Sequence, residues 1–395
     1  MIEAIEAVKA WKDRWLGRGD AAITVPVFDG ALKANNLLEE ADVFATPHDA
    51  HDLASDGRAL FVADAASVLR FELGDAAGRA CGVVVQRFEH PVSALACVPG
   101  GGLAVALDGR EVRIVGGPYD GRRWTEVAGK ALHAVNSISA RGVGDGSATL
   151  VVTDGSREHA VGAWKRDLMT LGRSGRVLEL GLHDGSGREL ATGLAHAFGA
   201  CAVGTAVWAS ESWRHRVLRI DANAGSGLGS GSGSAARAGA AAVTDVLPGY
   251  PSRITPASAQ QGGGCWLTCF TLRTQLVEFV LREHGYRKRM VRELDPAHWI
   301  APALNSGNSF LEPMQGAQLK TMGVVKPWAP PRSYGLVLRL DPQGQVLYSL
   351  HSRFDGKHHG VVAAVEAAGH LYVLAQGCQR ILRLSIAHAQ RSLQA

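Results

Sequence analysis

Short runs of alternating apolar and polar residues, separated by turns rich in Gly and Asp, recur along this chain. The clearest is 204–221, GTAVWASESWRHRVLRID, where Val207 and Ala209, and then Val217, Leu218 and Ile220, flank a polar turn. Successive side chains on a strand point to opposite faces, so the pattern predicts two short strands joined as a hairpin. The same order of turn, apolar strand, polar connector and second strand returns at 56–71 (DGRALFVADAASVLRF) and 100–115 (GGGLAVALDGREVRIV). It returns again at 146–180, where GSATLVVTD and GRVLEL are separated by an insertion, at 262–281 (GGGCWLTCFTLRTQLVEFVL), and at 368–386 (AGHLYVLAQGCQRILRLSI). Repeats of short strands with a period of roughly 40 to 60 residues are the signature of a radial array. A blade cannot bury both of its faces alone, so the blades must pack side by side around an axis. The expected fold is therefore all-β, a six-bladed β-propeller.

The segment preceding each hairpin is expected to supply the strand nearest the axis. Residues 1–20 place Ile2, Ile5, Val8, Trp11 and Trp15 at helical spacing, which predicts an N-terminal amphipathic helix ahead of a propeller spanning 21–386. Residues 22–29 and 34–44 are expected to close the ring on the last blade. The insertion 157–175 carries Trp164, Leu168 and Met169 on one face of a short helix, set to fold over one end of the ring or against a neighbouring blade. Residues 222–242 hold almost no bulky apolar side chain and read as a disordered loop. In blade five, 282–334 reads as a helix followed by a Pro-bounded coil containing Trp328, an insertion shaped like a lid. Its basic residues Arg282, Arg287, Lys288, Arg289 and Arg292 are interleaved with Glu283 and Glu293, as on a solvated helix face. The last blade is read as running from YGLVLRLDPQGQVLYSLHS to the final hairpin, with 387–395 as a polar tail.

Composition narrows this picture. With 46% hydrophobic and 20% charged residues, 395 residues can bury a large core, and the even spacing of the repeats favours one closed ring over separate domains. The net charge of +4 is not gathered into basic runs, so nucleic acid is not an expected partner. No apolar run approaches the ~18 residues of a membrane span. The start of the chain lacks the basic end and unbroken apolar stretch of a secretory signal, so a cytoplasmic location is expected. Six cysteines without CxxC spacing, mostly within apolar strands, read as small buried hydrophobes rather than a disulfide or zinc framework.

Ring geometry gathers the starts of inner strands and the ends of second strands around one mouth. The residues expected there are Asp49, His51, Ser93, His133, Asn136, Asp154, His196, Glu211, Arg253, His358 and His359. Histidines beside carboxylates can exchange protons near neutral pH. Ester or lactone hydrolysis of a small organic molecule follows as the leading expectation. His133, His196 or His359 would act as base, Asp154 and Glu211 as acidic partners, and Asn136 would polarise the carbonyl. Arg253, Phe198, His51, His358 and Trp164 would contact the substrate. Plainer roles stand beside these. Glu211 can pair with Arg214 between blades, His196 can be a core histidine beside Phe198, Asp154 can be a turn acid, and His358 and His359 can be solvated. A ligand-binding propeller without catalysis is the alternative to hydrolysis at this point.

The chain resembles the strictosidine-synthase-like branch of six-bladed propellers, related to gluconolactonases, paraoxonases and diisopropylfluorophosphatase. The matching segments are GLAHAFGACAVGTAVWASESWRHRVLRI, LPGYPSRI with GGCWLTCF, AWKRDLM followed by RSGRVLEL, YGLVLRLDPQGQV and VVAAVEAAGHLY. They cover about residues 45–386 in the family's order. For the hydrolytic relatives, the resemblance implies one axial calcium held by a Glu of blade one, Asn residues of two middle blades and an Asp of blade five. Carried over by position, Asn136 matches and Asp49 is the nearest blade-one carboxylate. Phe198 stands where blade four would give Asn, and Ser252 and Arg253 stand where blade five would give the acid and its neighbour. No cofactor is therefore expected, with a degenerate calcium site at Asp49 and Asn136 as the alternative. For the synthase branch the resemblance implies metal-free amine–aldehyde condensation with a Glu in the last blade, where Glu366 is the nearby acid.

Overall fold

The computed structural model describes residues 25–74, 80–142, 148–222, 240–305 and 333–394, together with the backbone of Leu319–Thr321 and Val324–Lys326. Six four-stranded antiparallel sheets follow one another along the chain. Blade one comprises Ala50–Ser55, Ala59–Asp64, Ser67–Glu72 and Val83–Arg87; blade two comprises Val92–Cys97, Leu103–Leu107, Glu111–Val115 and Arg123–Trp124. Blade three comprises Val135–Gly142, Ala148–Asp154, Gly175–Gly181 and Gly187–Leu194; blade four comprises Ala197–Val203, Ala206–Glu211, Arg216–Ile220 and Ala240–Thr244. Blade five comprises Gly249–Pro256, Cys265–Leu272, Gly335–Leu340 and Val346–Ser352. Blade six takes Val361–Ala367, His370–Ala375 and Arg380–Ser385 from the end of the chain and Asp42–Ala45 from its beginning. Each inner strand packs on the inner strands of the blades before and after it, and blade six packs back onto blade one. The ring of six is closed.

The closing strand pairs Asp42 with Arg383, Val43 with Leu382 and Ala45 with Ile381. Phe44 is buried there, edge-on to Tyr372 at 5.0 Å and tilted against Phe71 at 5.8 Å, so it joins blade six to blade one. Second strands such as Ala206–Glu211 and Cys265–Leu272 are buried along their whole length. They lie mid-sheet with a blade against each face, so both faces carry apolar or hydrogen-bonded side chains. The hydrophobic clusters accordingly lie between neighbouring blades rather than at one centre. All six cysteines are free; Cys201, Cys265 and Cys269 are buried, and burial pushes the Cys201 thiol up to about 12.

Several boundaries differ from the sequence reading. The stretch QLVEFVL in 262–281 is no second strand: it forms helix α2, Gln275–Arg282, following helix α1, Trp164–Thr170, in blade three. Thr274 caps α2, its hydroxyl accepting from the Val277 N–H at 3.3 Å. Leu276, Val277, Val280 and Leu281 fit a helical stripe as well as a strand, and the cap decides between them. The segment YGLVLRLDPQGQVLYSLHS consequently supplies the outer half of blade five, not the start of the last blade. Helix α3, His284–Glu293, continues the insertion, and helix α4, Ile386–Gln394, replaces the expected tail, with Ile386 and Ala389 buried against blade six. The predicted loop 222–242 overlaps the outer strand of blade four, which begins at Ala240. Residues 1–20, 223–239 and Trp328 lie outside the described residues. No helix among the described residues is long and apolar enough to cross a membrane.

If ring closure rests on the Phe44 contact, Phe44→Ala lowers the unfolding free energy by about 3–5 kcal/mol. Val27→Ala at an exposed site changes it by less than about 0.5 kcal/mol. Urea titration of both variants checks this, and equal midpoints would remove Phe44 from the closure.

Candidate active site

A cavity of about 380 Å³ opens where the inner strands begin, and all six blades reach it. Asp49 and His51 come from blade one, Val92 and Ser93 from blade two, Asn136 from blade three, His196 and Phe198 from blade four, Arg253 from blade five and Val362 from blade six. Trp164 of α1 and Phe270 of blade five add aromatic walls, 5.3 Å apart in an edge-to-face contact. The insertion of blade three therefore folds over the axis as a cap. Its Leu168 and Met169 are buried in the same cluster as Phe270 and Trp299.

His196 is the most constrained group in this cavity. It lies just before the inner strand of blade four with φ +61°, a left-handed conformation that costs a non-glycine residue of order 1 kcal/mol. Backbone bonds hold that turn: the His196 N–H donates to Leu194 O at 3.0 Å, and the Ser212 N–H donates to His196 O at 3.0 Å. The ring stacks on Trp213 at 4.3 Å. Its Nδ1 lies 3.3 Å from Asp167 Oδ2, which also accepts from Trp213 Nε1 at 2.7 Å. Burial works to raise the Asp167 carboxyl, but the hydrogen bonds from His196 and Trp213 and the charge of the imidazole hold it below its ordinary value. A carboxylate at Nδ1 places the ring proton there and leaves Nε2 as an acceptor. Nε2 lies 3.3 Å from the Asn136 amide nitrogen, itself 3.4 Å from Ala197 O. A side chain at position 172 would meet Asp167 Oδ1 at 2.2 Å, so Gly172 leaves the carboxylate its space.

The cavity floor is a buried ion pair across the ring. Arg253 Nε lies 2.9 Å from Asp52 Oδ1, although the N–H points off the line to that oxygen, and Arg253 Nη2 donates to Ser93 O at 2.8 Å. Asp52 Oδ2 accepts from the Leu95 N–H at 2.9 Å, so one pair ties blades five, one and two together. Burial pushes Asp52 up to about 6 against the pull of the guanidinium, and it lowers Arg253 against the pull of the carboxylate. The guanidinium also lies over the Phe198 ring at 5.4 Å.

Of the residues expected at the mouth, the cavity gathers Asp49, His51, Ser93, Asn136, His196, Phe198, Arg253 and Trp164. The others serve the scaffold. Asp154 accepts from the Ala134 N–H at 2.8 Å and pairs with the buried Arg176 at 2.6 Å. Glu211 accepts from the Ala195 N–H at 2.8 Å and from Arg216, not Arg214, at 2.7 Å, which steadies the turn bearing His196. Both ring nitrogens of His359 are taken, by Ser333 Oγ and by Arg353 O, each at 2.7 Å, so it is no free base and is not solvated. His358 is buried and bound to Leu38 O at 2.8 Å. His133 is half-buried beside Asp154 and does not line the cavity. Glu366 is engaged by Ser258 and by Trp266 Nε1 at 3.1 Å, on a part of blade six that does not reach the cavity.

Asp167, Asp52, Trp213, Phe270 and Gln376 were not legible as site residues. Asp167 offered one signal, an acid on the insertion helix one turn after Trp164. Calcium does not fit this arrangement. The ion takes about six to eight oxygen ligands, whereas a guanidinium occupies the blade-five position and Asn136 turns its amide to His196. Asp49 pairs instead with His51 at 3.3 Å. Among the described residues, no three His, Cys, Asp or Glu side chains gather as a metal site.

No protein-family model matches this chain, and no curated protein matches it. Among solved structures, it is similar to XC5397, a gluconolactonase from Xanthomonas campestris, at 13% identity and a TM-score of 0.50, covering 92% of this chain and 95% of that one. It is also similar to a calcium-binding protein, regucalcin, from Agrobacterium tumefaciens, at 12% identity and a TM-score of 0.49, covering 89% and 96%. The fold is the six-bladed β-propeller. The six sheets and the likeness to XC5397 carry that class and not the strictosidine-synthase-like branch.

Helix α2 of the propeller's blade-five insertion is fastened beside this site through Glu278. Its carboxylate lies 3.3 Å from each of His215 Nε2, Arg273 Nε and Tyr250 Oη. Burial acts to raise Glu278, and His215 and Arg273 outweigh it, so that it is pushed down to about 2. A carboxyl lowered in the folded state stabilises fully above its ordinary value of 4.5, and that stabilisation is lost as pH falls toward 2. Glu278→Gln is thus expected to lose about 2–3 kcal/mol at pH 7 and to approach the parent protein near pH 2, as read by urea unfolding across pH. A parallel offset at every pH would contradict the assignment. For the floor, Asp52→Asn leaves a buried guanidinium without its counter-charge and is expected to cost about 3–5 kcal/mol, much of it recovered in Asp52→Leu with Arg253→Met.

Proposed function

We propose that this propeller hydrolyses esters or lactones of small, largely apolar molecules in its axial cavity, with His196 as the general base. The reading rests on the Asp167–His196 pair, whose Nε2 lies beside Asn136 in a cavity walled by Trp164, Phe198 and Phe270. His196 Nε2 takes a proton from the water that attacks the carbonyl carbon, and Asp167 stabilises the imidazolium that forms. The Arg253 guanidinium supplies a fixed positive end for the charge that develops on the carbonyl oxygen, and the attacking water takes the place of the Asn136 amide at Nε2. The aromatic walls exclude other water and hold the acyl or ring carbons. The likeness to a gluconolactonase carries the fold only, so the hydrolytic reading stands on these side chains. Metal-free condensation has no observation in its favour, because Glu366 is bonded within the scaffold.

The purified full chain, assayed with aryl esters, alkyl esters and five- and six-membered lactones, is expected to turn over at least one class and to keep that rate after chelation. His196→Gln lowers kcat/KM by about 10²- to 10⁴-fold with unchanged circular dichroism, and Asp167→Asn lowers it in the same direction. Absence of turnover across the whole panel, with and without added calcium, would sink the proposal and leave a ligand-binding propeller.

A further inference from the structure

Arg253 holds more hydrogen-bond donors than the protein gives it acceptors. A guanidinium carries five N–H bonds in a fixed plane. Here Nη2 donates to Ser93 O at 2.8 Å, and Nε lies 2.9 Å from Asp52 Oδ1 with its N–H off that line. Both Asp52 oxygens are already engaged by backbone: Oδ1 accepts from the Leu53 N–H at 2.8 Å and Oδ2 from the Leu95 N–H at 2.9 Å. Nη1 has no acceptor among the described residues and is not sealed from the cavity that Arg253 lines. The residue is only 6% exposed, so the unfilled donor opens into the cavity and not onto the outer surface. It is also held in place. A side chain at position 199 would meet the Arg253 Cα at 2.5 Å, so Gly199 lets the strand bearing Phe198 run against it, and the guanidinium lies 5.4 Å over the Phe198 ring. A donor fixed in advance loses little freedom when a ligand arrives.

We propose that the floor of the axial cavity is a carboxylate site, and that the ligand it takes is a small monocarboxylate with an aromatic body. The carboxylate accepts from Arg253 Nη1, a charge-assisted bond stronger than one between neutral groups. The body lies against Trp164 and Phe270, in the edge-to-face manner in which those two rings already meet. The other acids of the cavity lining are engaged elsewhere: Asp49 pairs with His51 at 3.3 Å, and Asp108 lies 3.5 Å from Arg110. Burial works against the Arg253 cation, and a second anion beside it works the other way. A second carboxylate on the ligand would lie against apolar walls without a partner, which restricts the class to single acids. This site stands apart from the hydrolytic reading. It needs no proton transfer, and in a hydrolytic cycle the acid product would come to rest where the oxyanion formed.

Calorimetric titration of the full chain at pH 7 compares phenylacetate with its neutral isostere phenylacetamide and with acetate. Phenylacetate is expected to bind at least about tenfold more tightly than either. Asp52→Leu with Arg253→Met, which removes both charges together, brings the acid down to the affinity of the amide with unchanged circular dichroism. Trp164→Ala, on the cap, weakens acid and amide alike by about tenfold, and it locates the ligand where the double variant does not fold. The site is overturned by equal affinity for acid and amide, by a preference for the acid that survives the loss of Arg253, or by an acid affinity indifferent to Trp164→Ala. No binding of phenylacetate at about 10 mM overturns it as well. Turnover is not read here, so such a result leaves the hydrolytic reading in place, and an ester and lactone panel without turnover leaves the carboxylate site in place.

Discussion

Everything in this molecule depends on a pairing between the two ends of the chain. The strand Asp42–Ala45 completes the sheet begun by residues near the C terminus, and the next residues enter blade one already fixed against blade six. Gln379 accepts from the Ala50 N–H at 2.7 Å, and Gln376, three residues earlier, holds His51. One side of the cavity is therefore created by closure itself. A propeller left open at this seam would lose the partner of His51 along with the buried contacts of Phe44.

The axis poses a second constraint. Inner strands converge there and leave polar groups with little access to water, so a ring centre must be neutralised by something. An ion held by oxygens is one solution; here a protein cation does the work. Arg253 reaches Asp52 and Ser93 of the far blades and ties three blades through one guanidinium. Burial taxes both charges, as the raised carboxyl and lowered guanidinium indicate, and the pair persists because each is worse off alone. The consequence is chemical as well as structural, since the positive charge under the cavity is a fixed part of the chain.

The insertions convert this floor into a site. Helix α1 brings Trp164 over the axis and Asp167 to His196, while the blade-five helices, fastened by Glu278, bury their apolar face in the same cluster. Trp213 stacks on the imidazole and donates to the carboxylate that orients it. The scaffold supplies positions, and the segments that interrupt it supply the walls.

By itself, the sequence determined the number of blades, the N-terminal origin of the closing strand though not its bounds, and the insertion in blade three, because alternation and turn residues act over a few neighbours and repeat with the blade. It also marked His196, Asn136 and Arg253 as cavity residues, since their places in the repeat fix which strand end carries them. Tertiary structure decided what each polar group does. Asp154 and Glu211 turn out to brace turns, and both nitrogens of His359 are consumed, whereas Asp167 and Asp52 become the partners of the cavity's base and cation. It also decided that 275–281 is helix, where local periodicity admits two answers. Hydrophobic spacing is a property of the strand, but a hydrogen bond across the ring joins residues that only closure brings together.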